Sequence, residues 1–407
     1  MESQASLGAI SGPPSSTRPL AFPPRSYLTR VDEGLHGTTG AQKIISQLNA
    51  QRSAVTKLTL NHNPLGDDGA SHLFSYLCST PGSRHRIALS EINLNCVDLG
   101  CKGLYAISDY IRGNDVLRVV WLASNTLLPD PAVLSSLASS INDSRLRFLS
   151  LTGNNQLGDT FVEYFLPFLR SRYFHELHIN TIGLTARSAP AIGAWISGHL
   201  QRNCDGACHL QVFKCNGNSL GVSGVWEIVR AIERGNWSIT KVEVHANQLV
   251  PSANLADTET ADAMRDAERA LHRIMMRNSY WKRQTEREAL ILLRHSRPLL
   301  MRPKSSSIIR SRSPPLRTAT SLFPFYALPN ELKLYILGSL TPSLSSRQRM
   351  RIYNYASDPS TLPCLLPPLR HDPAKLPGHQ LERRQPALRG WEHRRHQQSP
   401  LPKRRGT

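Results

Sequence analysis

Apolar and polar positions alternate along residues 55–249 in a phrase that recurs seven times: apolar, any residue, apolar, then in most copies Asn three residues later and Leu after that. The copies are Leu58-Thr-Leu60 with Asn63 and Leu65; Ile92-Asn-Leu94 with Leu99; Val120-Trp-Leu122 with Asn125 and Leu127; Leu149-Ser-Leu151 with Asn154 and Leu157; Leu177-His-Ile179 with Leu184; Phe213-Lys-Cys215 with Asn218 and Leu220; and Val242-Glu-Val244 with Asn247 and Leu249. Their first apolar positions lie 34, 28, 29, 28, 36 and 29 residues apart. A nearly fixed period of this length predicts a solenoid of stacked repeats.

The phrase has period two, which predicts a short strand with both apolar side chains on the buried face. The Asn amide carries donors and an acceptor that can satisfy backbone groups in the adjoining turn. Leu65-Gly66-Asp67-Asp68-Gly69 and Leu220-Gly221-Val222-Ser223-Gly224 follow, where Gly permits a tight turn out of the strand. Leu73 and Leu77, or Leu104, Ile107 and Ile111, then continue at helical spacing. Each unit is therefore a strand, a turn and a helix, and units this small bury their apolar faces only by stacking. The fold class expected is α/β: a repeat solenoid with parallel strands on the concave face and helices on the convex face.

These motifs resemble the ribonuclease-inhibitor type of leucine-rich repeat, matched by the repeat length, the Leu-Gly-Asp-x-Gly turn and the long helix. Val97 and Ile182 stand where Asn is expected, and two repeats are lengthened, so less regular turns are expected there. The expected organisation is a disordered leader over 1–34, the solenoid over 35–255 and a capping helix over 256–297. A Ser/Arg/Pro linker over 298–322, a helical segment over 323–362 and a basic disordered tail over 363–407 complete it. The helix Thr39–Ala50, capped by Thr38 or Thr39, is expected to belong to an incomplete first repeat. The later helix presents Met264, Ala267, Leu271, Ile274, Asn278, Trp281, Thr285 and Leu292 on one face, packs on the last repeat and then runs free.

The residues between the inward leucines face the concave side. They form a column of Thr59, Asn93, Trp121, Ser150, His178, Lys214 and Glu243, flanked by Lys57, Glu91, Val119, Phe148, Glu176, Val212 and Lys241. Trp121, Val119 and Phe148 make an apolar spot between Glu91 and Glu176, the composition of a binding hot spot. With His178 and Lys214 these are the candidate residues for a protein partner.

Leu328-Pro329, Glu331-Leu332, Ile336-Leu337 and Leu340 resemble the opening of an F-box, with Pro329 at a helix start. The second half of that pattern, with its Trp, is replaced by Arg351-Ile352-Tyr353-Asn354-Tyr355. The resemblance implies docking to the Skp adaptor of a cullin ubiquitin ligase through Leu328, Pro329, Leu332, Ile336 and Leu337. A hairpin packed on the solenoid end or on itself is the alternative. Repeats followed by Leu-Pro-x-Glu-Leu and Ala356-Ser357-Asp358-Pro359 resemble fungal proteins described only as ribonuclease-inhibitor-like. The repeat type also admits a GTPase-activating protein for Ran, although such proteins usually end in an acidic tail.

Charge changes the picture only at the C-terminal end. The formal charge is +19, and residues 301–407 hold 19 Lys or Arg against 5 Asp or Glu. A basic tail attracts acidic proteins, an import receptor or, weakly, nucleic acid, which is otherwise not expected as a partner. Lys403-Arg404-Arg405 is a candidate import signal and Ser313-Pro314 a candidate phosphorylation site. Seven irregularly spaced Cys argue against a disulfide framework and for a reducing compartment. Met1–Pro14 lacks the basic start and apolar run of a secretory signal, and no apolar run is long enough to span a bilayer. An intracellular chain, cytoplasmic or nuclear, and a monomer are expected. Cys204, Cys208, His209 and Cys215 carry zinc-ligand chemistry, but Cys215 holds the inward position of Leu60, so no metal is expected. No nucleophile and base stand at a telling spacing and no phosphate loop occurs, so neither enzymatic activity nor a cofactor is expected.

Overall fold

The computed structural model describes residues 26–198, 209–247, 257–301 and 328–362, and only the backbone of 257–260. In chain order the elements are β1 (Ser26–Thr29), α1 (Gly37–Ala50), β2 (Val55–Thr59), α2 (Gly66–Cys78), α3 (Ser83–Arg86), β3 (Glu91–Asn93), α4 (Cys101–Ile111) and β4 (Val119–Trp121). Then follow α5 (Pro131–Asn142), β5 (Phe148–Ser150), α6 (Gly158–Phe165), β6 (Glu176–His178), α7 (Ala189–Ile196), β7 (Val212–Lys214), α8 (Gly221–Gly235) and β8 (Lys241–Glu243). The chain continues with α9 (Asp257–Leu300), α10 (Asn330–Ser339) and α11 (Ser346–Ser357). The eight strands pair in parallel and in sequence order in one open sheet. With a helix after each of the first seven, this is an α/β leucine-rich-repeat solenoid.

The inward phrase does what its period predicts. Leu58, Ile92, Val120, Leu149, Leu177 and Phe213 are fully buried, and so are Leu60, Leu122, Leu151, Ile179 and Cys215. The turns hold because each Asn amide reaches into the repeat before it. Asn125 Oδ1 accepts from Val97 N (3.0 Å) and Leu99 N (3.2 Å) while its Nδ2 donates to Leu94 O (2.9 Å). Asn218 accepts in the same way from Ile182 N and Leu184 N, at 3.1 Å each. The repeats carrying Val97 and Ile182 are therefore served by the amide of their successor, and the register passes through them without a shift.

The turn acidic residues have a matching role that the strand pattern does not reveal. Asp67 Oδ1 accepts from Gly100 N (2.7 Å) and Gly103 N (2.8 Å), so it caps the helix of the following repeat. Asp159 does likewise, accepting from Thr185 N (2.8 Å) and from the Thr185 and Ser188 hydroxyls. Gly66, Gly158 and Gly221 open their helices at φ of 60°, 55° and 69°, a conformation a Cβ would strain. The extra length of the first full repeat is α3. Its buried His85 accepts from Val55 N at Nδ1 (3.1 Å), and its Nε2 lies 3.1 Å from both Leu48 O and Arg84 Nε.

Four expectations on boundaries change. Residues 26–34 are not leader: β1 pairs with β2, and Leu28 and Leu35 join the core. The first repeat thus has its strand, and neither Thr38 nor Thr39 caps α1, which starts after His36 with no side-chain cap. The capping helix runs to Leu300 through Pro298, past the expected linker boundary, because Leu299 and Leu300 pack against a second small core of Leu292, Leu337, Leu344 and Tyr353. It does not run free, since its distal half carries α10 and α11, joined by Ser343 N donating to Glu288 Oε2 at 2.9 Å.

The proximal half of α9 closes the ladder with Met264, Ala267, Leu271, Ile274 and Asn278, and Asn278 Nδ2 donates to Asn236 O and Ile239 O at 2.9 Å each. Trp281 continues that face by its spacing but is exposed, and Thr285 is only partly buried. The rest of the leader (1–25), the linker over 302–322, residues 323–327 of the helical segment, the tail over 363–407, Leu249 and the Ser313-Pro314 and Lys403-Arg404-Arg405 motifs lie outside the described residues.

Replacing Asp67 by Ala should cost about 1–2 kcal/mol in a urea unfolding measurement. Asp68→Ala, on an exposed neighbour, should be close to neutral. Equal effects of the two would show that Asp67 caps nothing of consequence.

Candidate partner-binding face

Strand pairing carries the two expected columns across the sheet without a break. Thr59, Asn93, Trp121, Ser150, His178, Lys214 and Glu243 are successive partners, as are Lys57, Glu91, Val119, Phe148, Glu176, Val212 and Lys241. β1 extends them by Thr29 and Tyr27, which sequence reading missed, and Tyr27 is exposed. A cavity of about 660 Å³ lies beside it, lined by Tyr27, Thr29, Thr56, Lys57, Ser90 and Glu91.

Neighbouring strands bring Trp121, Phe148 and His178 together. The Trp121 and Phe148 ring centroids are 4.2 Å apart, and His178 stands edge-on to Phe148 at 4.8 Å and to Trp121 at 6.1 Å. This corrects the expectation of an open apolar spot. Phe148 is 7% exposed and Ser150 1%, because side chains on adjacent parallel strands cover one another; Trp121 and Val119 stay half-buried. Trp121 is thus the aromatic a partner would meet, with Phe148 as its backing.

The charged residues of the face are paired with one another. Lys57 Nζ lies 2.8 Å from Glu91, and Lys214 and Lys241 lie 3.2 and 3.0 Å from Glu243 Oε1. Burial raises the Glu243 carboxyl, but hydrogen bonds from Lys241, Lys214 and Asn216 outweigh it and bring the pKa down to about 2. His178 Nε2 lies 2.7 Å from Glu176 Oε1. Burial lowers the pKa of His178 more than Glu176 raises it, so near neutral pH the contact is a hydrogen bond from a neutral ring. Glu91 and Glu176 therefore do not flank the aromatic spot as free charges. A second line of amides, Asn61, Asn95, Asn180 and Asn216, edges the face, each accepting from the backbone of the next repeat at 2.8–3.2 Å. Their sequence signal was available: each directly follows the second inward residue.

The residues expected to dock an adaptor divide between two faces of α10. Leu337 is buried in the small core, whereas Leu332 and Ile336 are exposed, in line with Tyr335 and Leu340. Leu328 is half-buried, and Pro329 is the N-cap of α10. Of the zinc-type residues, Cys204 and Cys208 lie outside the described residues and His209 is exposed. Cys215 faces the core, where burial pushes its thiol up to about 12. No helix among the described residues is long and apolar enough to cross a membrane.

No protein-family model and no curated protein matches the chain. Among solved structures, the C-terminal domain of tropomodulin from Caenorhabditis elegans is similar at 14% identity, covering 58% of this chain and 96% of that one with a TM-score of 0.23. That likeness is too slight to build on, and the solenoid stands on its own strand order.

The His178 ring should titrate below the usual value near 6.5 in an NMR measurement, and lower still in Glu176→Gln, which removes the charge that raises it. Because the folded value is the lower one, the stability tied to neutral His178 is present above about pH 6.5 and is lost as pH falls through the folded value. A titration at or above the usual value would contradict the burial described.

Proposed function

We propose that the chain is a non-catalytic recognition scaffold that binds a protein partner on its strand face. The observation that carries this reading is the Trp121, Phe148 and His178 cluster at the middle of the sheet. A half-buried Trp held from behind by two rings loses little side-chain freedom when covered, which is how rigid aromatic anchors contribute affinity. The surrounding charges, including Glu91, Glu176 and Lys214, are already paired, so they set where a partner's polar groups fit rather than attract it from afar.

Trp121→Ala should weaken binding of a partner recovered with the full chain by about 30-fold, the equivalent of about 2 kcal/mol. The thermal transition should stay close to that of the unmodified chain. Leu128→Ala, at an exposed position outside the strands, should have no effect on binding. Unchanged affinity in Trp121→Ala would exclude this face.

A second reading rests on a different observation, the exposed stripe of Leu332, Tyr335, Ile336 and Leu340 on α10. It supports docking of the Skp adaptor, which would make the scaffold the substrate receptor of a cullin ubiquitin ligase. Skp and cullin should then co-purify with the chain and be lost in Leu332→Asp with Ile336→Asp, while strand-face binding persists. Their absence from the unmodified chain would remove this reading. The Ran-type GTPase-activating reading has no observation in its favour among the described residues.

A further inference from the structure

The charges of the strand face are paired internally, and most arginines on the outer side of α9 have no carboxylate partner among the described residues. Arg265, Arg269, Arg273, Arg283, Arg287 and Arg294 are exposed and fall on one side of α9, at spacings that close whole turns once Met276, Tyr280 and Leu290 are counted between them. Arg265 and Arg269 pair with Asp262 and Asp266 one turn earlier. Arg273, Arg283, Arg287 and Arg294 have no carboxylate within 4.0 Å among the described residues. These four extend along about 32 Å of helix at 1.5 Å per residue.

Tyr280 lies midway along this stripe, and Trp281, the next residue, projects about 100° round the helix from it. Tyr280 is 58% exposed and Trp281 45%, with centroids 5.5 Å apart. Trp237, 53% exposed, stacks under the Arg277 guanidinium at 3.9 Å. The chain has no acidic run of its own to lie here, since the segments outside the described residues hold only five acidic residues, Glu2, Asp205, Asp372, Glu382 and Glu392.

We propose that this side of α9 binds single-stranded nucleic acid, with the arginines along the phosphates and Tyr280 on the stripe, with Trp281 at its margin, stacking bases. The basic residues of the stripe are all Arg, whose planar fork meets phosphate oxygens in pairs and also stacks on rings. Arg rows interleaved with exposed aromatics suit a single strand, whose unpaired bases offer flat faces. An acidic protein would use the same arginines but would bury aliphatic side chains beside them. Of the exposed aliphatic residues of the stripe, Met276 stands about four turns from Leu290 and Ile291, so they form no continuous patch along the arginines. The same separation argues against a lipid surface, which needs a continuous apolar face.

The probe is a fluorescein-labelled 20-nucleotide oligouridylate, titrated by anisotropy into the full chain at several salt concentrations. Neutralising Arg273, Arg283 and Arg287 together to Gln should weaken binding and reduce the salt slope by about 2, since each phosphate left without its arginine lowers the slope on a single strand by about 0.7. Tyr280→Ala with Trp281→Ala should weaken binding about tenfold and leave the salt slope unchanged. These side chains are exposed, and unchanged thermal transitions will show that the variants fold.

Three results would overturn the proposal: no binding by the unmodified chain; loss confined to Lys403→Ala, Arg404→Ala and Arg405→Ala with both α9 variants unaffected; or polyglutamate of the same length binding equally well and indifferent to the aromatic variant. The first leaves no site, the second assigns binding to the C-terminal basic run, and the third makes the stripe a surface for acidic protein.

Discussion

The parallel ladder runs past each short strand into the turn, as in Leu60 N to Asn93 O and His62 N to Asn95 O, but other backbone groups of the turn find no backbone partner in the neighbouring repeat. Everything else in this molecule depends on how those groups are satisfied. Asn63, Asn125, Asn154, Asn218 and Asn247 bridge successive repeats through carbonyls, and the first four also accept backbone N–H groups there. Asp67 and Asp159 repeat the device one turn later at the helix starts. The stacking is thus enforced by polar side chains that belong to one repeat and complete another. Leucine burial supplies the driving force and fixes which residues face inward, and the amides complete the turns between repeats.

The candidate face follows from that enforcement. Once the register is fixed, every residue between two inward positions stands beside its equivalent on the next strand, and side chains meet whether or not a partner is present. This is why Trp121, Phe148 and His178 form one cluster and why Lys57 with Glu91, or Lys214 with Glu243, neutralise each other. α9 is under no such constraint. Its outer side has no neighbouring strand to answer it, so Arg273, Arg283, Arg287 and Arg294 remain without acidic partners among the described residues along about 32 Å.

The columns of the strand face were legible in the sequence because period two and a fixed repeat length determine them completely. What escaped reading did so for identifiable reasons. The turn after β1 carries Arg30 and Glu33 where later repeats have Leu60 and Asn63, since a terminal repeat needs only one side of its turn satisfied. The burial of Phe148 comes from rings on adjacent strands, and spacing along the chain does not encode contact across it. The extent of α9 was hidden by Pro298, which breaks a helix in isolation but stands within one turn of its end and is followed by the packed Leu299 and Leu300. On α10, a single run of leucines serves two faces, and only packing against α9 tells Leu337 from Leu332 and Ile336.

The central claim, that side-chain amides complete the turns between repeats, is tested most directly by amide hydrogen exchange of the full chain and of Asn218→Ala. The account predicts that Val97, Leu99, Ile182 and Leu184 N–H groups exchange as slowly as those within the strands, and that Asn218→Ala releases Ile182 and Leu184 while Val97 and Leu99 stay protected. Fast exchange of all four in the unmodified chain, or unchanged protection of Ile182 and Leu184 in the variant, would contradict it.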